Sequence, residues 1–193
     1  ETVCRRASLD QPVAICALKR AAAGEGELSF LQPSLQEKTG KNVAVLGSGP
    51  AGLTAAYYLN SLGHSVTVFE ALPEAGGMLR VGIPAFRLPQ PVLDREIKAI
   101  EDAGVEIRTR SRVDGLDKLF TEDFHAVFVA IGAHRGLMMG IPGENAEGVI
   151  DGVAFLRTLR LGQKVNIGKK AAVIGGGNVA LDSARSALRS GAR

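Results

Sequence analysis

Two glycine-rich turns constrain what this chain can fold into. The first, Gly47-Ser48-Gly49-Pro50-Ala51-Gly52, follows the apolar run Asn42–Leu46; the second, Gly175-Gly176-Gly177-Asn178-Val179-Ala180, follows Ala171–Ile174. Both open stretches of helical periodicity. In a strand–turn–helix unit the first glycine permits a tight turn and the second lets a phosphate approach the backbone. The third position must be small, because helix packs on strand there. Gly47, Gly49 and Gly52 fill these places in the first turn, and Gly175, Gly177 and Ala180 fill them in the second. Free N–H groups and the helix dipole then favour an anion at the helix N-terminus. One such turn alone is weak evidence. The first is strengthened by a further apolar strand, Ser65–Glu70, whose final residue lies about 20 residues on, where a carboxylate accepts ribose hydroxyls. The second turn has no such residue before Arg193. A βαβ unit takes about 30 residues, so the position that separates NAD from NADP is expected beyond the last residue.

The rest of the pattern is α/β. Residues 12–22 read as a short helix with Pro12 in its first turn, and 24–41 as a polar, glycine-containing linker. Helices are expected at 51–62, 93–103 and 153–161, and strands at 105–109 and 126–131. Residues 76–89 read as irregular and 132–148 as a crossing segment. The expected fold is two Rossmann-like dinucleotide-binding domains, the first part of one over 41–145 and the start of a second, truncated one over 146–193. The 46% hydrophobic and 22% charged residues suit a globular chain and exclude a disordered one. The 23 Lys and Arg are interspersed with 20 Asp and Glu, without the basic block of a nucleic-acid arm. No apolar run reaches the roughly 18 residues of a membrane span. The two cysteines are too few for a disulfide scaffold, which makes a reducing cytoplasm the expected compartment. A start at Glu1 and a stop at Arg193, directly after a helical pattern, suggest a piece of a longer subunit.

Two dinucleotide sites in one chain imply a redox relay. A hydride donor and its acceptor must come within about 3–3.5 Å, and the cofactors carry that chemistry while the protein orients them. No side chain is therefore assigned a catalytic role. His64, His125 and His134 are scattered and read as structural or solvated. No Cys-x-x-Cys pair occurs in residues 1–193, which sets aside a thioredoxin-reductase-like disulfide exchange.

The ordered set Gly47–Gly52, Glu70, Gly76-Gly77-Met78-Leu79, Gly82-Ile83-Pro84-Ala85-Phe86-Arg87-Leu88-Pro89, Phe128–Ala133 and Ile141-Pro142-Gly143-Glu144 resembles the flavin domain of the glutamate synthase small-subunit family. That family includes the flavin and NADPH modules of dihydropyrimidine dehydrogenase and of ferredoxin-linked NADPH oxidoreductases. Phe86–Pro89 followed by Val92–Ile97 is closer to the iron–sulfur-linked members. The resemblance implies FAD at the first site. Gly47, Ser48, Gly49, Pro50, Ala51 and Gly52 would form its pyrophosphate turn, and Glu70 would hold its adenosine ribose. Gly76, Gly77 and Met78 would lie along the flavin side, with Arg87 on the cofactor and the Val113 backbone on the adenine side. NADPH phosphates would rest on Gly176, Gly177, Asn178 and Val179, in the turn that Gly175 opens. Residues 1–40 would be the end of a helical domain carrying two [4Fe–4S] clusters, with its linker. Cys4 would be the last cluster ligand and Cys16 a buried apolar thiol.

The implied function is a flavin-dependent oxidoreductase module that passes hydride between NAD(P)H and FAD, and electrons onward to iron–sulfur clusters. The implied partner is ferredoxin or an iron–sulfur subunit of a hetero-oligomeric redox complex. The alternatives are the glutamate synthase small subunit proper and a non-catalytic nucleotide-binding scaffold of a larger complex.

Overall fold

Alternation along two central strands decides how this protein is layered. On β1 (Asn42–Leu46), Val45 points to one face of the sheet while Ala44 and Leu46 point to the other. On β2 (Ser65–Phe69), Val66 and Val68 join Val45, and Phe69 joins Ala44 and Leu46. Both strands are thus buried on two faces, the condition under which parallel strands read as continuous apolar runs. The structure, a computed structural model, describes residues 3–26 and 36–193. The chain divides into two compact units, one through residue 32 and one from residue 33 to Arg193.

The first unit has a 3-10 turn at Arg5–Ser8 and helix α1 (Ile15–Glu25). Arg6 and Asp10 form a paired ion bridge, at 2.9 and 2.6 Å. Pro12 lies outside α1 rather than in its first turn, because the Ile15 N–H closes a tighter turn on the Val13 carbonyl at 2.9 Å. Cys16 is exposed, contrary to the expected buried thiol, since residues 15–24 of α1 are exposed on every side. Of the expected linker, 27–35 lies outside the described residues, and 36–41 has no regular structure.

The second unit holds a four-stranded parallel sheet of order β3-β2-β1-β4, completed by β3 (Glu106–Arg108) and β4 (Ala126–Val129). Helix α2 (Pro50–Ser61) crosses from β1 to β2 and packs Ala56 and Leu59 on Val45, Val66 and Val68. The short α3 (Gly77–Val81) comes next, and α4 (Gln90–Asp102) then lies on the same face as α2, through Leu93, Ile97 and Ile100. The opposite face carries α5 (Asp117–Thr121), anchored by Leu119 against Ala44, Leu46 and Phe69.

Residues 76–89 are therefore not wholly irregular. The five residues of α3 are held by Arg80, whose Nε donates to the Ala75 carbonyl at 2.9 Å and whose Nη2 meets Asp94 at 2.6 Å. Neither α3 nor α5 is long enough to show a helical period, and short helices form through tertiary packing.

Beyond the sheet, α6 (Gly152–Arg160) is capped by Asp151, which accepts from the Ala154 N–H at 2.8 Å. Phe155 and Leu156 of α6 pack on Ala187 of α7 (Asn178–Arg189). The expected strand at Ala171–Ile174 is not formed. A strand is defined by its ladder, and here the segment is held at its start by the Ala171 N–H on the Arg193 carbonyl (3.2 Å), with the Arg193 N–H on the carbonyl of the preceding Lys169 (2.9 Å). Among the described residues, no helix is long and apolar enough to cross a membrane. Val68 is fully buried at the sheet centre. Val68→Ala should lower stability by about 2–3 kcal/mol, combining lost transfer energy and a residual cavity, as read by equilibrium urea unfolding.

Candidate functional site

The first glycine turn sits at the carboxyl end of β1, where open parallel sheets bind their ligands. Two of its glycines are demanded by the chain itself. Gly47 has φ +101°, and a Cβ there would stand 2.4 Å from the Ala130 carbonyl oxygen. A Cβ on Gly52 would stand 1.9 Å from the Gly47 carbonyl oxygen. Gly49 is different. Its φ of −71° suits any residue, and a Cβ there meets nothing within 4 Å. It occupies the N-cap of α2, where no side chain caps the helix and Pro50 follows at the first position. Neither backbone strain nor packing asks for glycine at 49. In a strand–turn–helix unit, the reason for a glycine at this place is the room it leaves for a phosphate.

A hydrogen-bonded node ties this turn to the next loop. Ser48 and Glu70 are both buried. One Glu70 oxygen, Oε2, accepts from the Ser48 backbone N–H at 3.0 Å and from the Ser48 hydroxyl; the other, Oε1, accepts from the Leu72 N–H at 2.8 Å. Ser48 Oγ in turn accepts from the Gly76 N–H at 3.0 Å. A carboxylate offers about four lone-pair sites, and three donors leave Glu70 capacity for a further hydroxyl. Gly76 and Gly77 have φ of +123° and +52°, and a Cβ on Gly77 would lie 2.6 Å from Gly49 Cα. The structure thus brings Gly47–Gly52, Glu70 and Gly76–Met78 to one place.

The second turn repeats the geometry in looser form. Gly175 has φ +125°, matching Gly47, and Gly177 caps α7 with φ −80°, matching Gly49. Cβ atoms on Gly176 or Gly177 would meet nothing within 4 Å. Ala180 is accommodated where the first turn has Gly52; its Cβ is 3.3 Å from where one on Gly175 would be. Asn178 and Val179 open the helix above this turn.

Three other expected site residues have partners of their own. Val113 is partly buried, with its side chain packed against the Leu46–Phe69–Leu119 cluster. Arg87 is held by Asp182 of α7, Nη1 to Oδ2 at 2.9 Å. Cys4 belongs to the first unit, where backbone hydrogen bonds, Val13's first and then Arg6's, hold its thiol below the ordinary value. Among the described residues, no three His, Cys, Asp or Glu side chains come together to hold a metal ion.

The histidines divide. His64 Nδ1 pairs with Thr39 Oγ1 at 2.7 Å, and His125 Nδ1 accepts from the Asn42 N–H at 3.2 Å, both structural roles. His134 Nδ1 is buried with no hydrogen-bond partner among the described residues.

Several contacts that α6 and α7 make with residues 80–86 carry no local sequence signal. Arg185 and Arg189 place their guanidinium carbons 4.5 and 4.2 Å from the Phe86 ring centroid. Arg160 Nε donates to the Arg80 carbonyl at 2.9 Å. Burial, then the Arg80 charge, pushes the Arg160 guanidinium down from its usual value. Periodicity cannot pair residues this far apart in the chain.

Parallel strands with helices on both faces, and two glycine turns that each open a helix, define a nucleotide-binding α/β protein. Residues 41–193 match the model of the pyridine nucleotide-disulphide oxidoreductase family, and the chain belongs to that family. It is 46% identical to the NADP(+)-dependent formate dehydrogenase subunit beta of Moorella thermoacetica, aligning over 100% of this chain and 31% of that one. Against the NADPH-Fe(3+) oxidoreductase subunit beta of Geobacter sulfurreducens it is 45% identical, over 100% of this chain and 30% of the relative. The chain therefore spans about a third of these relatives. Among solved structures, Mycobacterium tuberculosis FprA in complex with NADPH is similar with a TM-score of 0.63 and 30% identity, over 75% of this chain and 36% of that one.

Gly52→Ala should destabilise the second unit by about 1–3 kcal/mol, the usual cost of overpacking, because the new methyl must displace the Gly47 carbonyl. Thermal unfolding followed by circular dichroism would show the lowered midpoint.

Proposed function

We propose that this chain is the flavin- and nicotinamide-binding part of an electron-transfer oxidoreductase subunit. One observation carries the reading. Gly49 and Gly177 cap two helices, face open space and are required by neither backbone conformation nor packing. Both positions suit the close approach of a pyrophosphate. FAD fits the first, where Gly47–Gly52 would receive its phosphates and Glu70, with acceptor capacity to spare, its ribose. Gly76, Gly77 and Met78, laid against Gly49, would flank the flavin end, and Arg87 and the Val113 backbone would add outer contacts. NAD(P)H fits the second, on Gly175, Gly176, Gly177, Asn178 and Val179.

Held by Gly47–Gly52 and Glu70, FAD would supply the hydride-acceptor and single-electron-donor chemistry. The protein's share is binding and orientation: helix N-termini that neutralise phosphate, a buried Ser48–Glu70 node that fixes the first turn, and a packed unit that holds both turns. The relatives named as a formate dehydrogenase subunit and an Fe(3+) oxidoreductase subunit support a place in a multi-subunit redox complex. Ferredoxin or an iron–sulfur subunit would be the next electron carrier, in a cytoplasmic setting. Cys4 would ligate one of the [4Fe–4S] clusters of the intact subunit, completed by cysteines outside this sequence. The glutamate synthase small chain of Bacillus subtilis, 36% identical, keeps that protein's role as the second reading.

In the intact subunit, Gly49→Val should fold yet purify without yellow cofactor. Gly177→Val should keep the flavin, fail to bleach on rapid mixing with NADH or NADPH, and still bleach with dithionite. Full flavin content in the first variant, or parental reduction in the second, would reject the assignment of that site and favour a scaffold. Cys4→Ser should lower the iron-to-flavin ratio; an unchanged ratio would leave Cys4 an ordinary thiol.

A further inference from the structure

The two glycine turns do not account for the contact between residues 84–88 and α7. Arg87 reaches from this segment to Asp182, a carboxylate only 7% exposed, at 2.9 Å. Phe86, its neighbour, lies under both Arg185 and Arg189 of the same helix. A buried carboxylate is costly unless paired, so Asp182 favours the arrangement in which Arg87 stays on it. Asp182 and Asn178 are four residues apart and share one face of α7. Fixing Asp182 therefore fixes the direction of the helix end that Gly177 caps. The pair uses only Nη1 of Arg87 among the described residues, and the side chain is 41% exposed, so the guanidinium fork keeps donors for a second acceptor.

We infer that Asp182 is a positioning residue. By holding Arg87, and with Phe86 set against Arg185 and Arg189, it pins the helix of the second turn to the segment that follows the first, and so sets how the two bound nucleotides face each other. Asp182 touches neither nucleotide in this account; it acts through Arg87 and α7. The functional half of the inference rests on the relay proposed above. The structural half rests only on the contacts.

The test uses the intact flavin-loaded subunit and compares Asp182→Ala with Asp182→Glu, which keeps the carboxylate. Hydrogen exchange, measured without added nicotinamide nucleotide, should be faster over 84–89 and 178–183 in Asp182→Ala and restored towards the parent in Asp182→Glu. On rapid mixing with NADPH and with NADH, the limiting rate of flavin reduction in Asp182→Ala should fall on the order of tenfold or more, the scale expected when reacting groups are misplaced by about an ångström. The nucleotide concentration at half-saturation should stay within about twofold, with parental flavin content; Asp182→Glu should recover much of the rate. Should Asp182→Ala not fold, Phe86→Leu, which removes the ring between the helix and the segment, is read in the same way. Unchanged exchange over 84–89 would overturn the pinning. Faster exchange with an unchanged limiting rate would overturn the positioning role. Failure of both nucleotides to reduce the parent protein itself would instead overturn the relay, and the exchange result would still decide the pinning.

Discussion

A carbonyl oxygen with no room beside it organises the second unit. The Gly47 oxygen lies where a Cβ on residue 52 would stand, at 1.9 Å, and the Ala130 oxygen crowds Gly47 from the other side at 2.4 Å. The first turn can close only if α2 comes down directly onto the end of β1. That approach brings Ala56 and Leu59 over Val45, Val66 and Val68 and buries one face of the sheet. It also aims the uncapped N-terminus of α2 outward from the carboxyl edge. The packing of the sheet face and the placement of that helix end have the same cause.

The Ser48–Glu70 node explains how a buried acidic side chain is accommodated at that edge. Burying a carboxylate is unfavourable unless hydrogen bonds compensate. Glu70 receives two bonds from Ser48 and one from Leu72, and Ser48 extends the chain to Gly76. The turn after β1, the end of β2 and the loop before α3 thereby become one hydrogen-bonded body. The second turn lacks such a node among the described residues, and its strand segment forms no ladder. Its helix is instead held by α6 through Phe155 and Leu156, and by the Arg87–Asp182 contact. One glycine turn is built from the sheet, the other from helix packing.

Much of this was legible in the residues, and the limits have physical causes. β1 was expected at Asn42–Leu46 and is found there. β2 ends one residue before the expected Glu70, and α2 begins and ends one residue before the expected 51–62, because a glycine turn between two apolar runs leaves few ways to pair them. The helix at 90–102 begins three residues early, since Pro89 and Pro91 suit a helix start and conceal it from a purely apolar count. α3 hides behind Gly76, Gly77 and Gly82, and α5 depends on the one buried Leu119. The strand at 171–174 has the right composition without the hydrogen-bonded neighbours that make a strand.

The sequence by itself determined that two glycine-rich turns each open a helix, which glycine stands at which place, and that an acidic residue follows at Glu70. These are local facts, set by backbone sterics and by the two- and 3.6-residue periods. Only the tertiary structure decided that Gly49 and Gly177 face open space while Gly47 and Gly52 are locked, because crowding depends on Ala130 and on the path of α2. It also decided that Arg87 meets Asp182 and that Phe86 lies against two arginines. No period or motif joins residues 95 positions apart; their meeting follows from how helices pack around a sheet.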